Sequence, residues 1–265
     1  MLNDDGTLAR EGSLDRVAAE FAPVVAAARA RIGETFGPAR LHSAYLYGSI
    51  PRGTARAGMS DLDLLIVLRE EPGPADRAAV RELEAELDGA FPQIDGAGAL
   101  SAGAGTVLSE LERHDLGFLV ACLCTPLLGE DLAGRLPAYR PTSLLARETN
   151  GDLELFLPRW RQRLAEAPAG RERARFARGV GRHLVRTGFT LVLPRWGDWT
   201  SDLDEMAEVF AGCYPRWADR MRTAVAVGRR PERADAAVLG MLVHDLGPWL
   251  AAEYRAVHGV KAPRP

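Results

Sequence analysis

Two small residues and two carboxylates carry the densest chemistry in this chain. Gly48-Ser49 is followed, after a short spacer, by Asp61 and Asp63 on either side of Leu62. The run from Leu62 to Leu68 is otherwise apolar, the pattern of a strand buried on both faces. Side chains two apart on a strand share a face, so Asp61 and Asp63 aim at one point. Two such carboxylates repel unless one takes a proton or a cation lies between them. A hard cation such as Mg²⁺ suits oxygen donors of this kind. Gly48-Ser49 stands where a short helix is expected to begin, and the free N–H groups of a helix start attract an anion. The spacing therefore describes a phosphate seat beside a Mg²⁺ seat.

Those groups need elements to hold them. The pattern predicts a helix capped by Ser13 and running to about Phe36, with one apolar face and a kink at Pro23. A first strand covers Leu41–Tyr47. Ser49 is the expected cap of the short helix, with Pro51 in its first turn and Gly58 at its exit. Asp61–Leu68 is the second strand. Ala75–Phe91 is an amphipathic helix carried by Val80, Leu83, Leu87 and Phe91. Pro92–Leu100 is a Gly-rich third strand, and Leu116–Leu127 reads as another, with Cys122 and Cys124 as core thiols. A turn and short helix follow over 129–137. From about Asp152 the patterning is helical, over 152–167, 171–192, 201–213, 215–228 and 231–258, as in a bundle with short loops.

The combination of Gly48-Ser49, the spacer and Ser60-Asp61-Leu62-Asp63 resembles the nucleotidyltransferase superfamily that includes DNA polymerase β, especially its antibiotic-modifying and minimal members. The specific likeness covers residues 44–68. It implies an α/β N-terminal domain with a mixed sheet over residues 1–140, followed by an all-α helical bundle over 141–265. It also implies transfer of a nucleoside monophosphate from ATP or another NTP to a hydroxyl, with two Mg²⁺ ions bridging carboxylates and phosphates. Such a clamp needs a third acid on a neighbouring strand. Asp95 is the first candidate and Asp115 its competitor. Gly48 and Ser49 would receive the β- or γ-phosphate, with Arg52 one turn away. In the resembling families a basic residue of the helical domain reaches the triphosphate, which makes Arg182 and Arg186 candidates. Together with Arg178 they recur every four residues, opposite Phe176, Val180, Leu184 and Phe189.

The chain contains its own control. Ser201-Asp202-Leu203-Asp204 repeats the tetrapeptide at Ser60, but no Gly-Ser precedes it and no apolar strand follows. It reads as a helix start with Ser201 as cap. Asp-x-Asp alone therefore says little, and the information lies in its coupling to Gly-Ser and a strand.

Composition narrows the alternatives. At 265 residues and 47% hydrophobic, the chain can build a sizeable core in one or two domains. A net charge of −3 argues against a long nucleic-acid partner. Lys261 is the only lysine, which excludes a P-loop lysine and argues against a lysine-adenylate intermediate. Three cysteines fit neither a zinc cage nor a disulfide framework. No apolar run approaches membrane-spanning length, and a cytoplasmic protein is expected.

Glu148, Asp152 and Glu154 are candidates for a general base on the acceptor. Trp196 and Trp199 either line an acceptor pocket or pack a loop onto the bundle. Arg178 and His183 have the spacing of the HEPN ribonucleases that accompany minimal nucleotidyltransferases, with Gly179 in place of the usual polar residue. The expected partners are an NTP and a small hydroxylated acceptor, such as an aminoglycoside-like antibiotic. An AMP transferase acting on protein or RNA in a toxin–antitoxin pair, and a nucleotide-binding module without catalysis, remain open beside it.

Overall fold

A computed structural model of the chain describes residues 2–264. It divides into two compact units, one spanning Leu8–Tyr139 and the other running from Arg140 onward with the N-terminal residues up to Thr7. The first is built on a mixed four-stranded sheet flanked by helices, and the second is largely helical.

In the first unit, helix α1 (Ala22–Arg40) leads into strand β1 (Leu41–Tyr47), the short helix α2 (Ser49–Arg52) and strand β2 (Leu62–Leu68). Helix α3 (Pro74–Ala90) then leads to strand β3 (Ala97–Gly103). Two short helices, α4 (Ala104–Val107) and α5 (Leu116–Phe118), precede strand β4 (Cys124–Gly129). The sheet order is β3-β2-β1-β4, with β1 antiparallel to β2 and β4, and β2 parallel to β3. β2 is thus interior, which accounts for its unbroken apolar run.

The sheet has two differently filled faces. Leu62, Leu64, Ile66 and Leu68 join Val24, Ala28 and Ile32 of α1 and Val80, Leu83 and Leu87 of α3 in the larger core. Leu65 and Val67 face the other way, with Tyr45, Val107, Val120, Cys124 and Leu132. A two-pronged ion pair ties α1 to the start of α3: Arg40 Nη2 lies 2.5 Å from Asp76 Oδ2 and Nε 3.0 Å from Oδ1. Asp76 also accepts from the Gly73 N–H at 2.7 Å.

Several expectations are corrected. Ser13 caps only the 3₁₀ turn Leu14–Arg16, and α1 starts at Ala22. Pro23 therefore sits in the first helical turn, where its missing N–H costs nothing, and does not kink the helix. The residue capping α2 is Gly48, not Ser49, and its exit is Gly53 at φ 74°, not Gly58. β3 begins at Ala97, not Pro92. The apolar run before Cys124 is not a strand: α5 continues into the π-helical turn Leu119–Leu123, and only Cys124–Gly129 is extended. A short apolar run does not by itself distinguish strand from buried helix. Cys122 and Cys124 are buried thiols, as expected, and burial pushes Cys122 up to about 12.

In the second unit, Thr142 caps helix α6 (Ser143–Asn150), just past the boundary expected near residue 140. Next come α7 (Leu153–Ala165), the long α8 (Gly170–Trp196), α9 (Leu203–Cys213) and α10 (Ala218–Arg229). The last helical stretch runs from α11 (Ala236–Met241) through a π-helical turn into α12 (Gly247–His258). α8 packs closely on α10. A Cβ at Gly181 would fall against the backbone of Ala224 and Gly228, so only glycine permits this approach. The cap of α9 is Asp202, whose carboxylate accepts from the Asp204 and Glu205 N–H groups. The second Asp-x-Asp is therefore a helix start, as its lack of a Gly-Ser and a strand requires, with Asp202 in place of Ser201 as cap.

Candidate active site

β1 runs toward the loop that β2 leaves, so their antiparallel pairing brings the end of one beside the start of the other. Tyr47, the last residue of β1, pairs with Asp63. Gly48 follows at φ 82°, ψ −152°, a conformation open to glycine, and turns the chain into α2. A Cβ added to Gly48 would overlap Asp63 Oδ2 and stand 3.3 Å from its Cγ. The missing side chain thus lets the Asp63 carboxylate approach the backbone at the start of α2.

On the other side of Asp63 the parallel register sets Gly98 of β3. A Cβ at Gly98 would meet no heavy atom within 4 Å. The Asp63 carboxylate is therefore closed in by Gly48 on one flank and opens beside Gly98 on the other. By alternation, Asp61 and Asp63 lie on the face of Leu65 and Val67, beyond the apolar cluster that fills that face further along the strand. Both acids are half-buried.

Asp95 sits in the bend before β3. Its N–H donates to Ser60 O at 3.0 Å, and the Leu62 N–H donates to Gly96 O at 2.8 Å. The Asp95 N–H thus points toward β2, as those of Gly98 and Leu100 do in the parallel ladder. Asp95 lies outside the regular ladder: its N–H and the C=O of Gly96, the next residue, both face β2. Asp115 precedes α5, its N–H donating to Glu112 O at 3.0 Å.

Among the described residues, no group of three or more His, Cys, Asp or Glu side chains is gathered to hold a metal ion. Mg²⁺ commonly takes one or two carboxylates together with the phosphates of its substrate, not an all-protein cage. The Asp61–Asp63 pair, with open space beside Gly98, fits an ion that arrives with a nucleotide.

Arg52 has a partner that sequence reading missed. Its Nη1 lies 3.4 Å from Glu11 Oε1, and its Nε is buried with no hydrogen-bond partner among the described residues. The segment around Glu11 crosses α2: Glu11 N–H donates to Cys122 O at 2.8 Å and Ser13 N–H to Pro51 O at 3.0 Å. Nothing local in the sequence signals this pairing, because the two residues are far apart in the chain.

Within the second unit, Arg182 and Arg186 lie on α8; Arg182 is half-buried, with its stem beside Gly228 of α10, and Arg186 is exposed. The three candidate bases of this unit are engaged in ion pairs. Glu148 is buried between Arg147 Nε at 2.8 Å and Arg264 Nη1 at 3.2 Å. Burial raises its pKa, but these cations and the Ala262 N–H outweigh that and leave it lowered. Asp152 faces His183 Nε2 at 3.3 Å and Lys261 Nζ at 3.6 Å; burial opposes its ionisation, yet those partners leave its pKa lowered. Glu154 pairs with Arg255. His183 packs against the rings of Phe156 and Trp160, with centroids 4.6 and 5.3 Å away. Trp196 and Trp199 both set their rings edge-on against Phe189 at 5.5 Å, the packing role.

This strand–glycine–helix–strand arrangement seats a carboxylate against the glycine that opens a helix. Residues 32–94 match the family model for the nucleotidyltransferase domain, of the polymerase β-like superfamily. The match takes in Gly48, Ser49, Arg52, Asp61 and Asp63 and ends one residue before Asp95. No curated protein matches the chain. Among the described residues, no helix is long and apolar enough to cross a membrane.

Proposed function

We propose that this nucleotidyltransferase domain moves a nucleoside monophosphate from an NTP, with ATP as the donor suggested by the family resemblance, to a hydroxyl of a small molecule. The acceptor hydroxyl oxygen bonds to the α-phosphorus and gives up its proton to solvent, the bond from that phosphorus to the bridging oxygen breaks, and pyrophosphate leaves. The observation that carries the reading is the Asp63 carboxylate seated on Gly48 at the head of α2, with open space beside Gly98.

Asp61 and Asp63 are the residues that would hold Mg²⁺, which would neutralise phosphate charge and orient the α-phosphorus for in-line attack. Gly48 and Ser49 would take the phosphate tail on their N–H groups and the Ser49 hydroxyl. Asp95 is assigned as the third carboxylate, on the acceptor side. Arg52, and Arg182 or Arg186 of the helical unit, are further candidates for phosphate contacts. The acceptor class, including a hydroxylated antibiotic, follows from the resemblance and the helical second unit.

A second reading has a specific observation behind it. The absence of a three-acid cluster among the described residues favours a domain that binds nucleotide without transferring it. Pyrophosphate release with Mg²⁺, each NTP in turn and a panel of hydroxylated acceptors separates the two. Release that depends on acceptor and is lost in Asp61→Asn supports transfer. Nucleotide binding with no release under any acceptor supports the binding module.

A further inference from the structure

β3 has little with which to anchor itself. It reads Ala97-Gly-Ala-Leu-Ser-Ala-Gly103, only its last two residues are buried, and Leu100 is exposed. It is also an edge strand, paired with β2 alone. Gly-rich strands with few packing side chains specify their register weakly, and a slip of one residue turns every side chain to the other face. Asp95 stands just before this strand, so the height of β3 against β2 sets the position of its backbone beside Ser60.

The phase of the ladder turns the N–H groups of Ala97, Ala99, Ser101 and Gly103 outward, away from β2. Three of these end on carboxylates: Ala97 N–H donates to Asp88 Oδ1 at 2.5 Å, Ala99 N–H to Glu84 Oε1 at 2.7 Å and Gly103 N–H to Glu71 Oε2 at 3.3 Å. Asp88 and Glu84 are four apart on α3 and so share one side of it. Their separation, about 6 Å along a helix, matches the roughly 6.6 Å between alternate residues of a strand. α3 is itself fixed in the core by Val80, Leu83 and Leu87. Ala97 and Ala99 pack against the larger core and Ala102 lies in the smaller one, but these are small side chains, and the helix adds a two-toothed ratchet of carboxylates to what they hold.

We propose that Asp88 and Glu84 are positioning residues for the transfer reaction: they lock the register of β3 and so fix Asp95 level with the start of β2. This rests on the reading of the site as a nucleotidyltransferase centre. Neither residue touches nucleotide; each acts through the backbone of β3.

The test uses the full chain with Asp88→Ala, Glu84→Ala and Asp88→Asn, whose side-chain carbonyl still accepts from the Ala97 N–H. Two readouts are taken: amide hydrogen exchange at Ala97 and Ala99, and the Mg²⁺ concentration giving half-maximal pyrophosphate release from ATP. The alanine variants are expected to exchange faster at these amides and to need about tenfold more Mg²⁺, in the range seen when groups supporting metal ligands are removed, with KM for ATP at saturating Mg²⁺ little changed. Asp88→Asn is expected to match the wild type in both. A folded Asp88→Ala with unchanged exchange and Mg²⁺ dependence overturns the proposal, as does Asp88→Asn as impaired as Asp88→Ala. Should Asp88→Ala not fold, Glu84→Ala, which removes one tooth only, decides the matter by the same criteria. A wild type that releases no pyrophosphate sinks the transfer reading and with it the catalytic half of the proposal, while exchange still decides the register claim.

Discussion

The carboxylate of Asp63 rests on the backbone of Gly48, so close that a Cβ at Gly48 would overlap Oδ2 and stand 3.3 Å from Cγ. The contact follows from topology. β1 ends at Tyr47 opposite Asp63, and the next residue must turn into α2 with φ 82°. One missing side chain serves both needs: the positive φ, and the space in which a carboxylate meets a helix start.

Gly48→Ala breaks both at once. A non-glycine residue held in a sparsely populated backbone region costs about 1–3 kcal/mol, and the methyl displaces Asp63. Urea unfolding should show a loss of that order. Pyrophosphate release should fall further than the stability loss explains, when measured where the variant is fully folded. Gly58→Ala is the control, because Gly58 also has positive φ, at 68°, yet a Cβ there meets nothing within 4 Å. It should lose stability and keep its rate.

Arg52 and Glu11 form a partly buried pair, with side chains 22% and 12% exposed. Arg52→Ala and Glu11→Gln should each destabilise by about 1–2 kcal/mol, and the double variant by less than their sum. If Arg52 also meets a phosphate, Arg52→Ala alone should raise KM for the NTP. Equal KM values in both single variants would reduce Arg52 to an anchor for the N-terminal segment.

Asp76 supplies a pH test of the first unit. The Arg40 guanidinium, with help from the Gly73 N–H, holds its carboxyl at about 2, below the ordinary 3.8. A depressed carboxyl stabilises the fold fully above its unfolded pKa and loses that contribution as pH falls through the folded value. Asp76→Asn should therefore be less stable than wild type by a constant amount at neutral pH. The difference should shrink as pH drops below about 4. Urea midpoints of both proteins across this range read it directly, and a gap that widens toward acid would contradict it.

The thiols give a simpler check. Cys213 is exposed, whereas Cys122 and Cys124 are buried and burial raises both pKa values. Under native conditions a thiol reagent should label Cys213 rapidly and the other two only on unfolding. Rapid labelling of Cys122 would contradict the helical turn that buries it.

The fold around Gly48 and Asp63 was legible because its signals are local. Gly48-Ser49 and Asp61-x-Asp63 announce a turn, a helix start and a strand within one short segment, and the apolar run to Leu68 marks an interior strand. What was not legible depends on contacts across the chain. The stretch Leu119–Leu123 is apolar in a way that suits strand or helix, and it forms a π-helical turn. β3 carries no alternating pattern in sequence, and the Asp88 and Glu84 carboxylates that meet its outward N–H groups lie on another element. Glu11 meets Arg52 only because the N-terminal segment folds back over α2. Ser201-Asp202-Leu203-Asp204 shows the converse: the same tetrapeptide, followed by helix-forming residues, becomes a cap.

The central claim is that Asp63 on its glycine seat handles a divalent ion with the nucleotide's phosphates. Pyrophosphate release by Asp63→Asn, compared with wild type at saturating NTP and acceptor over a Mg²⁺ titration, tests it most directly. The substitution keeps the shape of the side chain and removes its charge, so the prediction is a fully folded protein whose release is abolished at every Mg²⁺ concentration. Wild-type rates and Mg²⁺ dependence in Asp63→Asn would contradict the account.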